Sequence, residues 1–158
     1  MPVKPIPDGY HAVTPYLIVK DAAKAIEFYK QAFNATELLR MPGPGGRIMH
    51  AELKLGDSVV MLADENPAMG YRAPGPDGNP AVSLYLYCAD VDATVERAVA
   101  AGAKVTRPVA DQFYGDRNGT LVDPFGHVWS IGTHTEDVSA EEIKRRMAAM
   151  AMAQKKTA

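Results

Sequence analysis

Two stretches of this chain repeat one order of elements at a constant offset, and that repeat narrows the fold more than any other feature. An offset of 69 residues takes Asp21 to Asp90, Tyr16-Leu17 to Tyr85-Leu86 and Val60 to Trp129. Each pair holds the same place in its half: a helix cap, a first strand, a last hairpin. In the first half, the β-branched and aromatic run 12–19 predicts a strand. Asp21 then caps a helix whose apolar residues Ala22, Ala25, Ile26, Tyr29 and Phe33 recur at helical spacing to about Asn34. A short strand at 36–41 ends in Pro42-Gly-Pro-Gly-Gly46, and residues 47–55 and 58–63 form a hairpin around Gly56-Asp57. The second half gives a strand at 81–88, a helix from the Asp90 cap to about Ala101, and strands at 104–108, 121–123 and 128–132. A tight turn, Asp123-Pro124-Phe125-Gly126, joins the last two, with proline presetting φ and glycine accepting a positive one.

The reading is therefore α+β, with tandem βαβββ modules at 10–64 and 81–135 inside a single domain spanning 1–158. Residues 64–80 hold four prolines and three glycines, too irregular for a helix or strand, so 65–80 reads as a linker or a lid. A period this long differs from that of a solenoid repeat. With 158 residues, 47% of them hydrophobic, the chain can bury a sizeable core. A net charge of −2, from 17 basic and 19 acidic residues, gives no basic patch for nucleic acid or an anionic membrane. Residues 1–9 carry three prolines and no apolar run of the signal-peptide kind. The lone Cys88 excludes an internal disulfide and fits a reducing, cytoplasmic setting.

Six motifs then carry a family likeness: Thr14-Pro-Tyr-Leu17, Ala25-Ile-Glu-Phe-Tyr29, Met41-Pro-Gly-Pro44, Met49-His-Ala-Glu-Leu53, Asp111-Gln-Phe-Tyr-Gly-Asp-Arg117 and Asp123-Pro-Phe-Gly-His-Val-Trp129. Together they resemble the PhnB-like branch of the vicinal oxygen chelate superfamily, which includes glyoxalase I, extradiol dioxygenases and bleomycin resistance proteins. The resemblance implies two modules whose curved sheets enclose a cleft, usually in a homodimer. It also implies four ligand places for a metal in the metal-dependent relatives, and these fall here on Thr14, Met61, Ser83 and Ser130. Hydroxyls and a thioether are poor ligands for nickel, zinc or iron. No metal and no other cofactor is expected, and glyoxalase or dioxygenase chemistry is not carried over from fold kinship alone.

Strand alternation gives the expected lining of the cleft. Met49, Ala51, Leu53 and Leu55 are expected under the helices, with Val60 and Leu62; Ile48, His50, Glu52 and Lys54 share the opposite face. Thr14, Tyr16, Met61, Ser83, Tyr85, Tyr87 and Ser130 point the same way as His50 and Glu52. His50 and Glu52, two apart on one face, are candidate catalytic residues as a general acid/base pair, or two ligands of a displaced metal site, or a solvated sheet end. Thr14, Tyr16, Met61, Ser83, Tyr85 and Ser130 are candidate ligand contacts. Arg117, placed in a loop 111–119, is either an anion clamp or a partner for Asp111 or Asp116. His127 caps the hairpin or faces water, and Cys88 alternates to the helix face.

A last helix is expected over 139–152, opened by a Ser139/Glu142 capping box and carrying an apolar stripe of Ile143, Met147 and Met150. That stripe either packs on its own domain or covers a partner subunit. Three functions remain: a metal-independent binder of a small organic molecule, a lyase or isomerase built on His50 and Glu52 or a noncanonical metal, and a ligand-free dimer.

Overall fold

The computed structural model describes residues 3–75 and 80–156. Strand β1 (Tyr16–Val19) leads into helix α1 (Ala22–Phe33), followed by β2 (Thr36–Pro42), β3 (Ile48–Leu55) and β4 (Ser58–Asp64). The second module repeats the order with β5 (Leu84–Tyr87), α2 (Val91–Ala100), β6 (Lys104–Asp111), β7 (Asp116–Val122) and β8 (Val128–His134), and α3 (Ala140–Lys156) follows. Two four-stranded sheets result, ordered β1-β4-β3-β2 and β5-β8-β7-β6. In each, the first strand runs parallel to the last and the other pairs are antiparallel.

Both inner helices start where the sequence places their caps. Asp21 accepts from the Lys24 amide at 3.1 Å and Asp90 from the Ala93 amide at 3.0 Å. Asn34 closes α1 in the left-handed region at φ 54°, where a short polar side chain is tolerated. The face of α1 bearing Ala25, Ile26, Tyr29 and Ala32 is buried in one apolar cluster with Leu53 and Leu62 of the first sheet and Leu121, Trp129 and Ile131 of the second, the Tyr29 and Trp129 rings lying 5.5 Å apart. One apolar core thus runs through both modules.

Several expected boundaries shift. The first strands begin at Tyr16 and Leu84, so Thr14 and Ser83 lie ahead of them; Pro15 has no amide to donate, and only its carbonyl joins the ladder, accepting from Met61. In the second module, the strands expected at 104–108 and 121–123 extend to Asp111 and back to Asp116, so Arg117 is a strand residue and not a loop residue. The face assignment fails at one point. Pro42 pairs with Ile48 while Met41 pairs with His50, leaving Met49 as an extra residue in a bulge. Ile48 is consequently buried and Met49 is half exposed, the reverse of a strict alternation. The expected tail helix forms with Ser139 accepting from the Glu142 amide at 3.2 Å, but Met147 and Met150 stay exposed rather than packing on their own modules.

The modules are locked together by one buried carboxylate. Asp123 accepts the Tyr29 hydroxyl at 2.6 Å and the Trp129 indole N–H at 2.9 Å, and its other oxygen takes the amides of Phe125 and His127 at 2.9 Å. Beside it, Phe33 and Trp129 rings lie 4.9 Å apart, and His127 Nε2 donates to the Ile18 carbonyl at 2.9 Å. His127 therefore ties the second module's turn to β1 instead of facing water. Tyr29→Phe, which removes one bond to this charged acceptor, should lower the unfolding free energy by about 1.5–3 kcal/mol in urea titrations. Asp123→Ala, which strands four buried donors, should cost more and report as loss of cooperative unfolding or a much lower midpoint.

Candidate functional site

Each sheet has one face under the helices and one face open, and the polar residues of interest collect on the open faces. On the first sheet, the cross-strand register sets Tyr16, Met61, Glu52 and Leu39 in one row across all four strands. His50 stands beside this row, and its position two residues from Glu52 puts both side chains on the same face. Its Nε2 is 3.0 Å from Glu52 Oε1 and its Nδ1 is 2.8 Å from the Tyr16 hydroxyl. Tyr10, from the segment before β1, donates its hydroxyl to the other Glu52 oxygen. The result is a continuous chain, Tyr10–Glu52–His50–Tyr16.

The charges follow from these bonds. Hydrogen bonds from Tyr10 and then His50 hold the Glu52 carboxyl below its ordinary pKa against the opposing pull of burial. Burial, with Tyr71 and Glu52 nearby, pushes the Tyr16 phenol up, so it remains a neutral hydroxyl. With Glu52 ionised, His50 Nε2 carries the hydrogen facing it, and Nδ1 is left to accept from Tyr16. The Tyr16 oxygen then keeps its lone pairs for a donor outside the protein. Beside it lies a pocket of about 190 Å³ whose apolar and aromatic lining is Tyr16, Ile18, Met49, Ala63, Met69 and Tyr71, with Arg47, Asp64 and Asn66 as its polar members. The half-exposed Met49 belongs to this lining because of the bulge, and Met69 and Tyr71 come from the linker, which supplies one wall.

The second sheet carries an analogous row of Tyr85, Ser130, Thr120 and Arg107. Here Thr120 stands in the place of Glu52 and Asn118 in the place of His50. The Tyr16–His50 contact has its counterpart in Asn118 Nδ2, which donates to the Tyr85 hydroxyl at 2.9 Å. Tyr85 and Tyr87 both donate to Asp116 Oδ2, at 3.0 and 2.8 Å, and His134 Nδ1 sits 2.8 Å from Asp116 Oδ1. Gly132 lets the Tyr85 ring lie flat across β8, since a Cβ there would come within 2.4 Å of the Tyr85 hydroxyl. Ser130 and Thr120 hydroxyls are 3.2 Å apart.

Of the residues expected from sequence, Tyr16, His50, Glu52 and Met61 gather on the first open face, and Tyr85 and Ser130 on the second. No hydrogen bond joins the two sets among the described residues. Ser83 is exposed ahead of β5, and Thr14, ahead of β1, turns its hydroxyl to the His11 carbonyl at 3.1 Å. Arg117 takes the second of its two expected roles, pairing with Asp111 at 3.2 Å, and strand periodicity also sends it to the helix side, where Asp92 takes its fork at 2.7 and 2.8 Å. Sequence reasoning missed Tyr10, which lies 42 positions from its partner, and the cluster of Tyr114, Asp116, Asn118 and His134. Reading β7 through Asp116 would have placed Asp116, Asn118 and Thr120 on one face by alternation.

Comparison with known proteins fits this geometry. The sequence profile of the Glyoxalase/Bleomycin resistance protein/Dioxygenase superfamily matches residues 10–131. The chain belongs to that superfamily. An uncharacterized protein of Mycobacterium tuberculosis is 45% identical over 139 residues, covering 86% of this chain and 82% of its own. One from Arabidopsis thaliana is 32% identical over 128 residues, covering 76% and 75%. Among solved structures, TioX from Micromonospora sp. ML1 is 26% identical with a TM-score of 0.62, covering 82% of this chain and 100% of its own. A PhnB protein from Bacillus cereus shares the fold at 19% identity and a TM-score of 0.60, covering 78% and 99%. Helix α3 lies beyond the residues that the superfamily profile matches.

The metal of glyoxalase-type relatives does not suit this donor set. The four places hold two hydroxyls already turned to protein partners, an exposed serine and a thioether, and none supplies an imidazole or a carboxylate.

The second cluster has a pH signature of its own. Burial disfavours the Asp116 charge, yet the bonds from His134, Tyr87 and Tyr85 outweigh it and hold the carboxyl below its usual value. Hydrogen bonds to Asp116 and then Asp137 raise the His134 pKa above 6.5. A raised folded-state pKa means stabilisation that is full below the unfolded value and disappears as pH rises through the folded one. The difference in melting temperature between the parent and His134→Gln should therefore be larger at pH 6 than at pH 9, in thermal melts followed by circular dichroism.

Proposed function

We propose that this protein binds a small organic molecule on the open face of its first sheet, without the metal site of its glyoxalase-type relatives. The observation that carries the reading is the Tyr10–Glu52–His50–Tyr16 chain beside a pocket walled by methionines and tyrosines. Met49 and Met69 give an adaptable apolar wall. The hydroxyl of Tyr16, oriented by His50, offers one fixed acceptor at its edge. A ligand with an apolar body and one N–H or O–H donor matches this arrangement. The same chain also supports acid/base work by a lyase or isomerase, because the His50–Glu52 contact at 3.0 Å sets an imidazole between a carboxylate and the cleft hydroxyl.

The pocket alone holds only a small group, and a second copy of the chain would complete it. Tyr16, Leu39, Met41 and Met49 on the first open face, and Tyr85 and Tyr87 on the second, are 43–60% exposed, as is the Met147/Met150 stripe of α3. A grouping of large apolar side chains of this kind is the mark of an interaction surface. In a homodimer each open face would be covered by the partner, and the ligand would sit between. No helix among the described residues is long and apolar enough to cross a membrane, and the lone Cys88 suits a reducing cytoplasm.

Three measurements check this reading. Elemental analysis of the purified protein should find no stoichiometric nickel, zinc or iron; one tightly held ion per chain, lost in His50→Ala, would reverse the metal-free assignment. Sedimentation equilibrium at micromolar concentration should give a dimer. A thermal-shift screen of small aromatic and heterocyclic molecules should yield stabilising ligands, each worth roughly 2.7 kcal/mol at a hundredfold excess over Kd. Glu52→Gln keeps the shape without the charge and should lose most of that shift, while Glu27→Gln on the outer face of α1 should lose none. Ligands that stabilise Glu52→Gln as well as the parent would make the pair structural.

A further inference from the structure

A second pocket, larger than the first, lies where the end of α1 meets the β5–α2 connection, between the modules. Its volume is about 510 Å³, within the range of roughly 300–1,000 Å³ typical of small-molecule sites. Phe33 and Leu86 give it apolar walls, and Lys54 from the first module and Arg97 from the second bring two cations to it. Neither cation forms an ion pair among the described residues. Arg97 donates from Nη2 to the Thr94 hydroxyl at 3.2 Å, while its Nε is buried with no hydrogen-bond partner among the described residues. Only that Nη2 donor, of the five in the guanidinium, is bonded among the described residues, so the group still has donors to offer an anion.

The described residues lining the pocket supply Arg97 with no further acceptor. Thr94 is committed, its hydroxyl donating to the Asp90 carbonyl at 2.8 Å. Asp90 also lines the pocket, but its carboxylate caps α2 through the Ala93 amide and lies beyond ion-pair distance of Arg97. Two cations thus face the cavity against one carboxylate already in use.

We propose that this pocket binds a small organic carboxylate with a flat apolar body. A carboxylate matches the planar guanidinium and can take its Nη donors, and Lys54 adds a second charge from across the module boundary. The body of the ligand lies against Phe33 and Leu86. Because the two cations come from different modules, the bound anion bridges them. This site is separate from the open-face pocket beside Tyr16 and stands or falls independently of it.

The test is a titration of the full-length protein with 2-naphthoate at low salt, followed by calorimetry and by amide shifts in two-dimensional NMR. Saturable binding with shifts at Asn34, Gly56, Cys88 and Arg97 is expected. The neutral analogue 2-naphthalenemethanol should bind about tenfold more weakly, as loss of one charge-assisted contact implies. Arg97→Met, which keeps the apolar stem, should weaken naphthoate about tenfold. Lys54→Met, at an exposed position safe for folding, should also weaken it, and Tyr16→Phe should leave it unchanged. The proposal is overturned if naphthoate does not bind at millimolar concentration, if the alcohol or inorganic phosphate binds as tightly with shifts at this same pocket, if either cation can be removed without effect, or if the naphthoate shifts map to Tyr16 and His50.

Discussion

A charged carboxylate in an apolar interior is tolerable only when its acceptor sites are filled, and Asp123 meets that condition with four donors. The arrangement does more than satisfy a charge. Two of the donors belong to its own turn and fix the shape of the β7–β8 hairpin; a third is the Trp129 indole; the fourth, Tyr29, comes from the other module. The packing of α1 against the second sheet is thereby tied to one backbone turn. The aromatic stack of Tyr29, Phe33 and Trp129 gains its orientation from that point. Since the modules meet through α1 and the hairpin, both sheets keep their opposite faces free.

That freedom shapes the functional surface. A sheet whose one face is buried presents every second residue to solvent, and in both modules those residues form a tyrosine-centred polar row. Duplication has kept the framework and changed the chemistry. Tyr16 and Tyr85 occupy equivalent places and both bond to the penultimate strand, to an imidazole in one module and an amide in the other. The first module adds a carboxylate at Glu52; the second carries Thr120 there and draws its negative charge from Asp116 at the strand's start. The first row ends in a small pocket, because the bulge at Met49 and the linker residues Met69 and Tyr71 close around it.

The changes at the four metal places are of one kind. Thr14 and Ser83 stand ahead of the first strands, and Met61 and Ser130 sit within the rows, so none is absent from the fold; what differs is donor type. A fold that elsewhere organises a Lewis acid retains here its cleft geometry and a hydrogen-bonded chain.

The local elements were legible in the chain. Asp21 and Asp90 announce their helices, Gly56 and Gly126 mark their turns, and the period-two pattern puts His50 and Glu52 on one face, all through interactions that reach only a few residues. Errors arose where long-range contacts overrule local pattern. The Met49 bulge depends on how β2 pairs with β3, and the extension of β7 back to Asp116 depends on β6 and β8 offering partners on both sides, so Arg117 seemed a loop residue when periodicity had already turned it to Asp92. The sequence by itself determined the two modules, their helix caps and the polar pair. Tertiary structure alone decided that Tyr10 completes the Glu52 chain, that Asp123 joins the modules and that Arg97 meets Lys54 across their boundary, because each joins residues from separate elements that only three-dimensional packing brings within bonding distance or around one cavity.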